Sequence, residues 1–228
     1  MTYNSAEEVK QQHIERLGIK LGPIFYELCN ELAWLYIKWN QYVELYGAKP
    51  SRVDLTNQAA SLFFRIVQDT LWEDTLLHIS RLTDPPKTAG KKNLTILLLP
   101  ILVENSDLSC QLDNLCTIAV EKSDFCRDWR NRHIAHIDLH LAMKKGVESL
   151  LPASRLKVKE CLTAISEVLN AVNGHYFNST TMFDWADDHR GAVDLLYLID
   201  DGLRSVKERQ VRIKAGNYLP GDYKARDI

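Results

Sequence analysis

The chain has 228 residues with 28 basic and 30 acidic side chains, a formal charge of −2, so no global basic field marks it as a nucleic-acid binder and any such binding must come from a local patch. Its length suits one large domain, residues 1–228, burying roughly 70% of its unfolded surface. Five cysteines, odd in number and without a Cys-x-x-Cys pair, exclude a disulfide framework and a thiolate zinc site and read as small buried apolar residues of a reducing, cytoplasmic protein.

The segment Met1 to Glu8 lacks a basic start followed by an apolar core, so it does not read as a signal peptide. Ser5 and Glu8 form a capping box that opens a short polar helix to about Leu17, with Gly18 as its stop. Residues 18–22 make a short helix–helix connection, and Gly22-Pro23 begins a longer helix. Along it Phe25, Leu28, Leu32, Leu35, Trp39, Tyr42 and Tyr46 recur every three or four residues, giving one apolar stripe that Gly47 terminates. Such a stripe packs inside the molecule's own bundle or forms a seam between two copies.

Val53 to Leu82 carries two adjacent apolar rows. One contains Ala59, Phe63, Ile66, Thr70 and Leu77; the other contains Ala60, Phe64, Val67, Leu71, His78 and Leu82. An arc this wide predicts the buried central helix of a bundle. His78 reads as a hydrogen-bonded core histidine. Thr83-Asp84-Pro85-Pro86 ends the helix, because proline lacks a donor and pushes its predecessor out of helical geometry.

Lys87 to Lys92 is a polar loop, and Asn93 caps a helix from Leu94 to about Glu104 that Pro100 kinks. The apolar run Leu94 to Val103, interrupted by Thr95 and Pro100, is about half the length that spans a bilayer, so no membrane partner is expected. From Asp107 a single row follows at steps of three or four: Leu108, Leu112, Leu115, Ala119, Lys122, Cys126, Trp129, His133, His136 and His140. An apolar row thus becomes a histidine row, which places the histidines in a water-poor setting. Gly146 and Pro152 mark a loop, Ser154 caps a helix to about Phe177, and Asn178 to Asp188 is irregular. The last helix, from about Gly191 to Ala215, turns basic at Arg204, Lys207, Arg209, Arg212 and Lys214, and residues 217–228 form an irregular tail. With no persuasive strand and no internal repeat, the fold class is all-α.

The residues that look like chemistry gather between Cys126 and His140, where three of the seven histidines fall within eight positions. On a helix turning about 100° per residue, His133, His136 and His140 project within roughly 60° of one another, with Arg130 about 60° to the side of His133. Three arrangements are chemically coherent. In a structural one, Arg127, Asp128, Arg130 and Asp138 form surface ion pairs. In a metal site, His133, His136, Asp138 and His140 supply imidazole and carboxylate ligands, with Arg130 and Arg132 placing opposing charge beside the cation. In the third, histidine moves protons and arginine stabilises a phosphorane during cleavage of a phosphodiester without a metal.

Arg130-Asn131 followed by His136 resembles the motif of the HEPN ribonucleases, an arginine, a polar residue, three to five others and a histidine. The string Trp129-Arg130-Asn131-Arg132-His133-Ile134-Ala135-His136-Ile137-Asp138 is similar to the abortive-infection AbiU-type branch of that superfamily. Ile79-Ser80-Arg81-Leu82-Thr83-Asp84-Pro85 resembles the other recurrent string of the branch, and the order of elements agrees from about Pro23 to Ala215.

The resemblance implies a HEPN-like bundle with long antiparallel helices and a metal-independent, cofactor-free endoribonuclease. It implies a homodimer with a composite active site, RNA as substrate, a role in phage defence or a toxin–antitoxin system, and an antitoxin or regulatory partner. Arg130 then stabilises the phosphate, Asn131 orients the site and His136 is the catalytic histidine, with Arg132, His133 and Asp138 supporting or binding RNA. The alternative is a non-catalytic RNA- or protein-binding module of the same fold. On an unbroken helix Arg130 and His136 point about 120° apart, whereas Arg132 and His136 share a face. Either the helix distorts near Ile134, or a second copy closes the gap, or Arg132 is the working arginine.

Overall fold

The computed structural model describes residues 5–144, 148–185 and 191–223; the turn expected at Gly146 and the end of the tail lie outside them. The capping box forms as the sequence predicts. The Ser5 N–H donates to the Glu8 carboxylate at 2.7 Å and the Glu8 N–H donates to Ser5 Oγ at 3.3 Å. Helix α1 (Ala6–Tyr46) follows, leaving helical geometry at one residue, Gly18, whose φ of 81° suits a residue without a Cβ. The connection expected over residues 18–22 is therefore confined to Gly18. The chain folds back there: the His13 ring packs on Phe25 and Tyr26, and Lys10 pairs with Glu27 at 3.1 Å. A Cβ on Gly22 would stand 2.7 Å from the His13 carbonyl oxygen, so this glycine is required by backbone approach.

The chain divides into two compact units, one of Met1–Trp39 with Thr70–Asp187 and one of Asn40–Asp69 with Asp188–Ile228. In the first unit Phe25, Leu28, Leu32 and Leu35 of α1 are fully buried, so the stripe packs inside the chain. Helix α2 (Pro50–Leu82) contributes its second half, which runs antiparallel to α1: Glu31 meets His78 and Lys38 meets Asp74. A two-stranded hairpin follows where a polar loop was predicted, β1 (Lys87–Thr88) paired with β2 (Lys91–Lys92) through Ala89 and Gly90, both with positive φ. Asn93 does not cap a helix. Its Nδ2 donates to the Pro85 carbonyl and to Thr88 Oγ1, pinning the hairpin, while Thr95 caps the turn that leads into α3 (Leu99–Leu102).

Helices α4 (Ser106–Lys122) and α5 (Asp124–Trp129) come next, then a short α6 (Leu139–Ala142), and α7 (Arg155–Phe177) completes this unit. Ser154 Oγ caps α7 by accepting from the Lys157 N–H, as predicted. Nine residues of α7 are buried, including Val158, Cys161, Ile165, Val168 and Val172, and the helix packs along α4. The buried centre is thus α7 and not α2, whose Leu62, Phe63 and Ile66 are exposed. A wide apolar arc gives a helix faces that can be covered. It does not supply the cover.

In the second unit Leu45, Ala192 and Leu196 form a small core flanked by Tyr46 and Leu55. Helix α8 (Ala192–Lys214) ends it, and the described part of the tail, coil and turn without helix or strand, is tied down: Arg212 grips the Asp222 carboxylate through two hydrogen bonds of 2.6 and 2.7 Å, which holds that carboxyl down at about 2. Of the cysteines, Cys116, Cys126 and Cys161 are buried as predicted, but Cys29 is half-buried and Cys110 is exposed. No helix among the described residues is long and apolar enough to cross a membrane.

His78 is a core histidine, 1% exposed. Lys38 Nζ lies 3.1 Å from its Nδ1, and Glu31 Oε2 lies 2.8 Å from its Nε2 but off the line of the ring N–H, so that proton has no aligned acceptor. Burial, and after it the Lys38 ammonium, pushes its pKa from 6.5 down to about 4 against the pull of Glu31. A lowered folded pKa means the unfolded chain takes up the proton first, so stability falls as pH drops from about 6.5 towards 4. His78→Gln should flatten that window by on the order of 3 kcal/mol in denaturant titrations at stepped pH; an unchanged profile overturns the assignment. A second outcome concerns the backbone. Gly22→Ala should destabilise by about 1–3 kcal/mol, whereas Gly174→Ala, with open space around its Cβ in α7, should be neutral or stabilising by up to about 1 kcal/mol.

Candidate active site

The helical row predicted to run from Leu108 to His140 is interrupted twice. At Ser123 the backbone leaves helical geometry (φ −91°, ψ 3°) between α4 and α5. From Arg130 to Ile134 the helix then widens into a π-turn, with the Ala135 N–H donating to the Arg130 carbonyl at 2.8 Å and the Asp138 N–H to the Arg132 carbonyl at 3.0 Å. Such widened turns are rare and concentrate at functional sites. The distortion falls near Ile134, the first of the three alternatives that the opposed directions of Arg130 and His136 left open. Beyond it the regular helix is over, so His136 and His140 are exposed and do not continue the row into a water-poor setting.

Arg127 fastens the first break. Its Nη1 donates to the Thr83 hydroxyl at 3.1 Å and the Thr83 carbonyl at 3.3 Å, and its Nη2 donates to the Val120 carbonyl at 2.6 Å, Ser123 Oγ at 3.1 Å and Asp124 at 3.1 Å. The Ser123 hydroxyl donates to Thr83 Oγ1 at 2.9 Å. One guanidinium therefore serves carbonyls at the ends of both α2 and α4, where helices leave acceptors open. The surface ion pair predicted for Arg127 is the least of its contacts.

Arg130 lies one turn further on. Its Nη1 donates to Asp84 Oδ2 at 2.5 Å and its Nε to Asn131 Oδ1 at 3.0 Å, with the two charged side chains 22% and 18% exposed. The pair joins the two strings that carry the family resemblance, since Asp84 belongs to the first and Arg130 to the second. Arg132 is engaged differently: Nη1 donates to Asp128 at 3.1 Å and Nη2 to the Glu148 carbonyl. Asp128 also accepts from the Leu151 N–H, and Trp129 Nε1 donates to the Leu151 carbonyl, so this group ties down the segment before α7.

His133 stands 3.5 Å from Glu73 and edge-on to Trp129, which continues through Trp72 to Trp39 as a ladder of rings with centroids 5.6–6.4 Å apart. Asp138 caps α6 by accepting from the Leu141 N–H at 2.8 Å. His136 makes no hydrogen bond or ion pair among the described residues, and Asn131 is exposed beside Arg130. The ligands of the metal arrangement are not gathered: His133 faces Glu73, Asp138 is a cap, and no group of three His, Cys, Asp or Glu side chains among the described residues could hold one ion.

Sequence reasoning missed Asp84, Thr83, Ser123 and the inward role of Arg127. The available signal was the string Ile79 to Pro85, which contains two of them.

Long antiparallel helices with an arginine, a polar residue and a histidine spaced across a widened turn define a HEPN-type protein. A family model described as AbiU2, of HEPN type, matches residues 19–195, and the chain belongs to this abortive-infection family. Neither a curated protein nor a solved structure matches it.

The frame and the chemistry separate by mutation. Arg127→Ala should cost about 2–4 kcal/mol, since it strands two helix ends, whereas His136→Ala should stay within about 0.5 kcal/mol because its exposed side chain makes no hydrogen bond or ion pair among the described residues. Equal losses in thermal unfolding would contradict this division.

Proposed function

We propose that this protein is a metal-independent endoribonuclease that cuts RNA by attack of the substrate's own 2′-hydroxyl, within the abortive-infection response. The observation that carries the reading is the π-turn, which leaves Arg130 and Asn131 fastened on the frame while His136 emerges past its end, exposed and uncommitted. The second support is the contrast between the arginines. Arg132 has both terminal nitrogens occupied, whereas Arg130 Nη2 has no hydrogen-bond partner among the described residues and can meet a phosphate oxygen while Asp84 fixes its plane.

In the proposed reaction a base takes the proton of the 2′-hydroxyl and the oxygen attacks phosphorus. The phosphorane is stabilised by Arg130, and the bond to the 5′-oxygen breaks as an acid protonates it, leaving a 2′,3′-cyclic phosphate and a 5′-hydroxyl. His136 serves one proton transfer, and a second copy of the chain supplies the other in a homodimer. Ile137 and Leu139, 76% and 66% exposed beside His136, are apolar surface that a second copy would cover.

The test is incubation of pure protein with matched RNA and DNA strands in the presence of a chelator. RNA alone should be cut, with a cyclic phosphate at the new 3′ end. His136→Ala should slow cleavage about 10²- to 10⁴-fold, and Arg130→Ala about 10²- to 10³-fold with little rescue by lysine. Free 3′-hydroxyl ends, or cleavage lost with the chelator, overturn the chemistry; tight binding without cleavage leaves the binding module.

A further inference from the structure

Beside Asp84 the first unit contains a cavity of about 360 Å³ that the cleavage reading does not use. Leu82 and Leu94 give it apolar walls, His78 lines it, and Arg81 and Lys92 supply positive charge beside the carboxylates of Glu31 and Asp84. Arg81 and Lys92 are exposed, so the cations stand at its rim. A planar guanidinium at the rim of an apolar slot is suited to stack on a nucleobase. The size is that of a small-ligand site.

The hairpin that contributes Lys92 adds a second observation. Its register sets Lys87 directly opposite Lys92, with Lys91 opposite Thr88. Like charges facing each other across a strand pair destabilise it, and Ala89 in the turn holds a φ of 49°, which a side chain rarely adopts. None of the three lysines has an ion-pair partner among the described residues, although Glu31 and Asp84 line the same cavity as Lys92. On α8, by contrast, Arg204 and Arg212 are paired with Asp200 and Asp222. Lysines also guard exposed strand edges, but a pair of two-residue strands has almost no edge to guard.

The hairpin is nonetheless pinned by Asn93, so Lys92 is fixed at the cavity, with Lys87 and Lys91 fixed in the same hairpin. Such an arrangement is complementary to a chain of phosphates with a base between them. Asp84 lines the cavity and also holds Arg130, so a nucleotide seated there is adjacent to that arginine.

We infer that this cavity is a base-binding subsite for single-stranded RNA, with Lys87, Lys91 and Lys92 holding the flanking phosphates. The inference rests on the cleavage reading for its choice of RNA, and the experiment separates the two. Full-length His136→Ala protein, which should not cut, is titrated with fluorescently labelled oligonucleotides of U, A, C or G at several salt concentrations. The unaltered hairpin should bind with a base preference. The double substitution Lys87→Glu, Lys92→Glu should weaken binding at least about tenfold and lower the salt slope by about 1.4, roughly 0.7 for each lysine.

Leu94→Trp, which fills the cavity from its exposed side, should erase the base preference and leave the salt slope in place. Arg81→Ala, at an exposed position, probes the same cavity should the tryptophan disturb folding. No RNA binding, equal binding of all four oligonucleotides, an unchanged slope in the lysine variant, or a base preference that survives both cavity variants overturns the subsite. The lysine variant is also assayed with His136 intact. Cleavage at the parent rate and preference refutes the subsite and leaves the nuclease standing, whereas hairpin-dependent binding by a parent that never cuts leaves the subsite standing without the nuclease.

Discussion

The site depends on one cation placed where two helices run out of partners. A helix ends with carbonyls that nothing in the helix can satisfy, and α2 and α4 end close together, at Thr83 and near Ser123. Arg127 answers both with a single planar fork, and the Ser123 hydroxyl closes the remaining gap to Thr83. Because the guanidinium is mostly buried, at 20% side-chain exposure, these bonds are strong and their loss is costly. Everything past this point inherits its position from the junction: Asp84 is the next residue after Thr83, and Arg130 is three residues after Arg127, at the start of the widened turn that follows α5.

Each of Arg130, Arg132 and His133 has a nearby acid. Arg130 has Asp84, Arg132 has Asp128, and His133 has Glu73. The local field is therefore close to balanced, in keeping with the formal charge of −2 for the chain. Such pairing gives orientation rather than attraction. A guanidinium held by a carboxylate on one edge keeps its other donors at a fixed angle. His136 stands outside this network.

What was legible in the sequence was mostly what is decided locally. The Ser5–Glu8 box, the Ser154 cap, the stop at Gly18 and the α1 stripe depend on neighbours within four residues or on one face of one helix. The buried state of His78 followed from the row on which it lies. The motif residues were legible only by resemblance, and their setting was not. The break at Ser123 and the π-turn at Arg130 sit inside a run of ideal three- and four-residue spacing, because the bonds that stabilise them reach 40 to 46 residues away, to Thr83 and Asp84. Periodicity cannot register a partner at that distance. The same holds for Asn93, a plausible cap by type that the hairpin claims first, and for α2, whose apolar arc leaves Leu62, Phe63 and Ile66 exposed.

The widened turn also bears on how this motif tolerates change. In a regular helix, adding or removing one residue rotates everything downstream by about 100° and scrambles the packed face. Here the regular helix has already ended at Ile134, and Asp138 starts the next one with its own cap. Arg132 and His133 are still tied to the frame, and the stretch from Ile134 to His136 is the part decoupled from the core on its far side. A residue gained or lost within it would be absorbed by the loop, without re-registering α6 or α7. Length variation between arginine and histidine, which a rigid helix would forbid, becomes nearly neutral for the fold and free to reshape the mouth of the site.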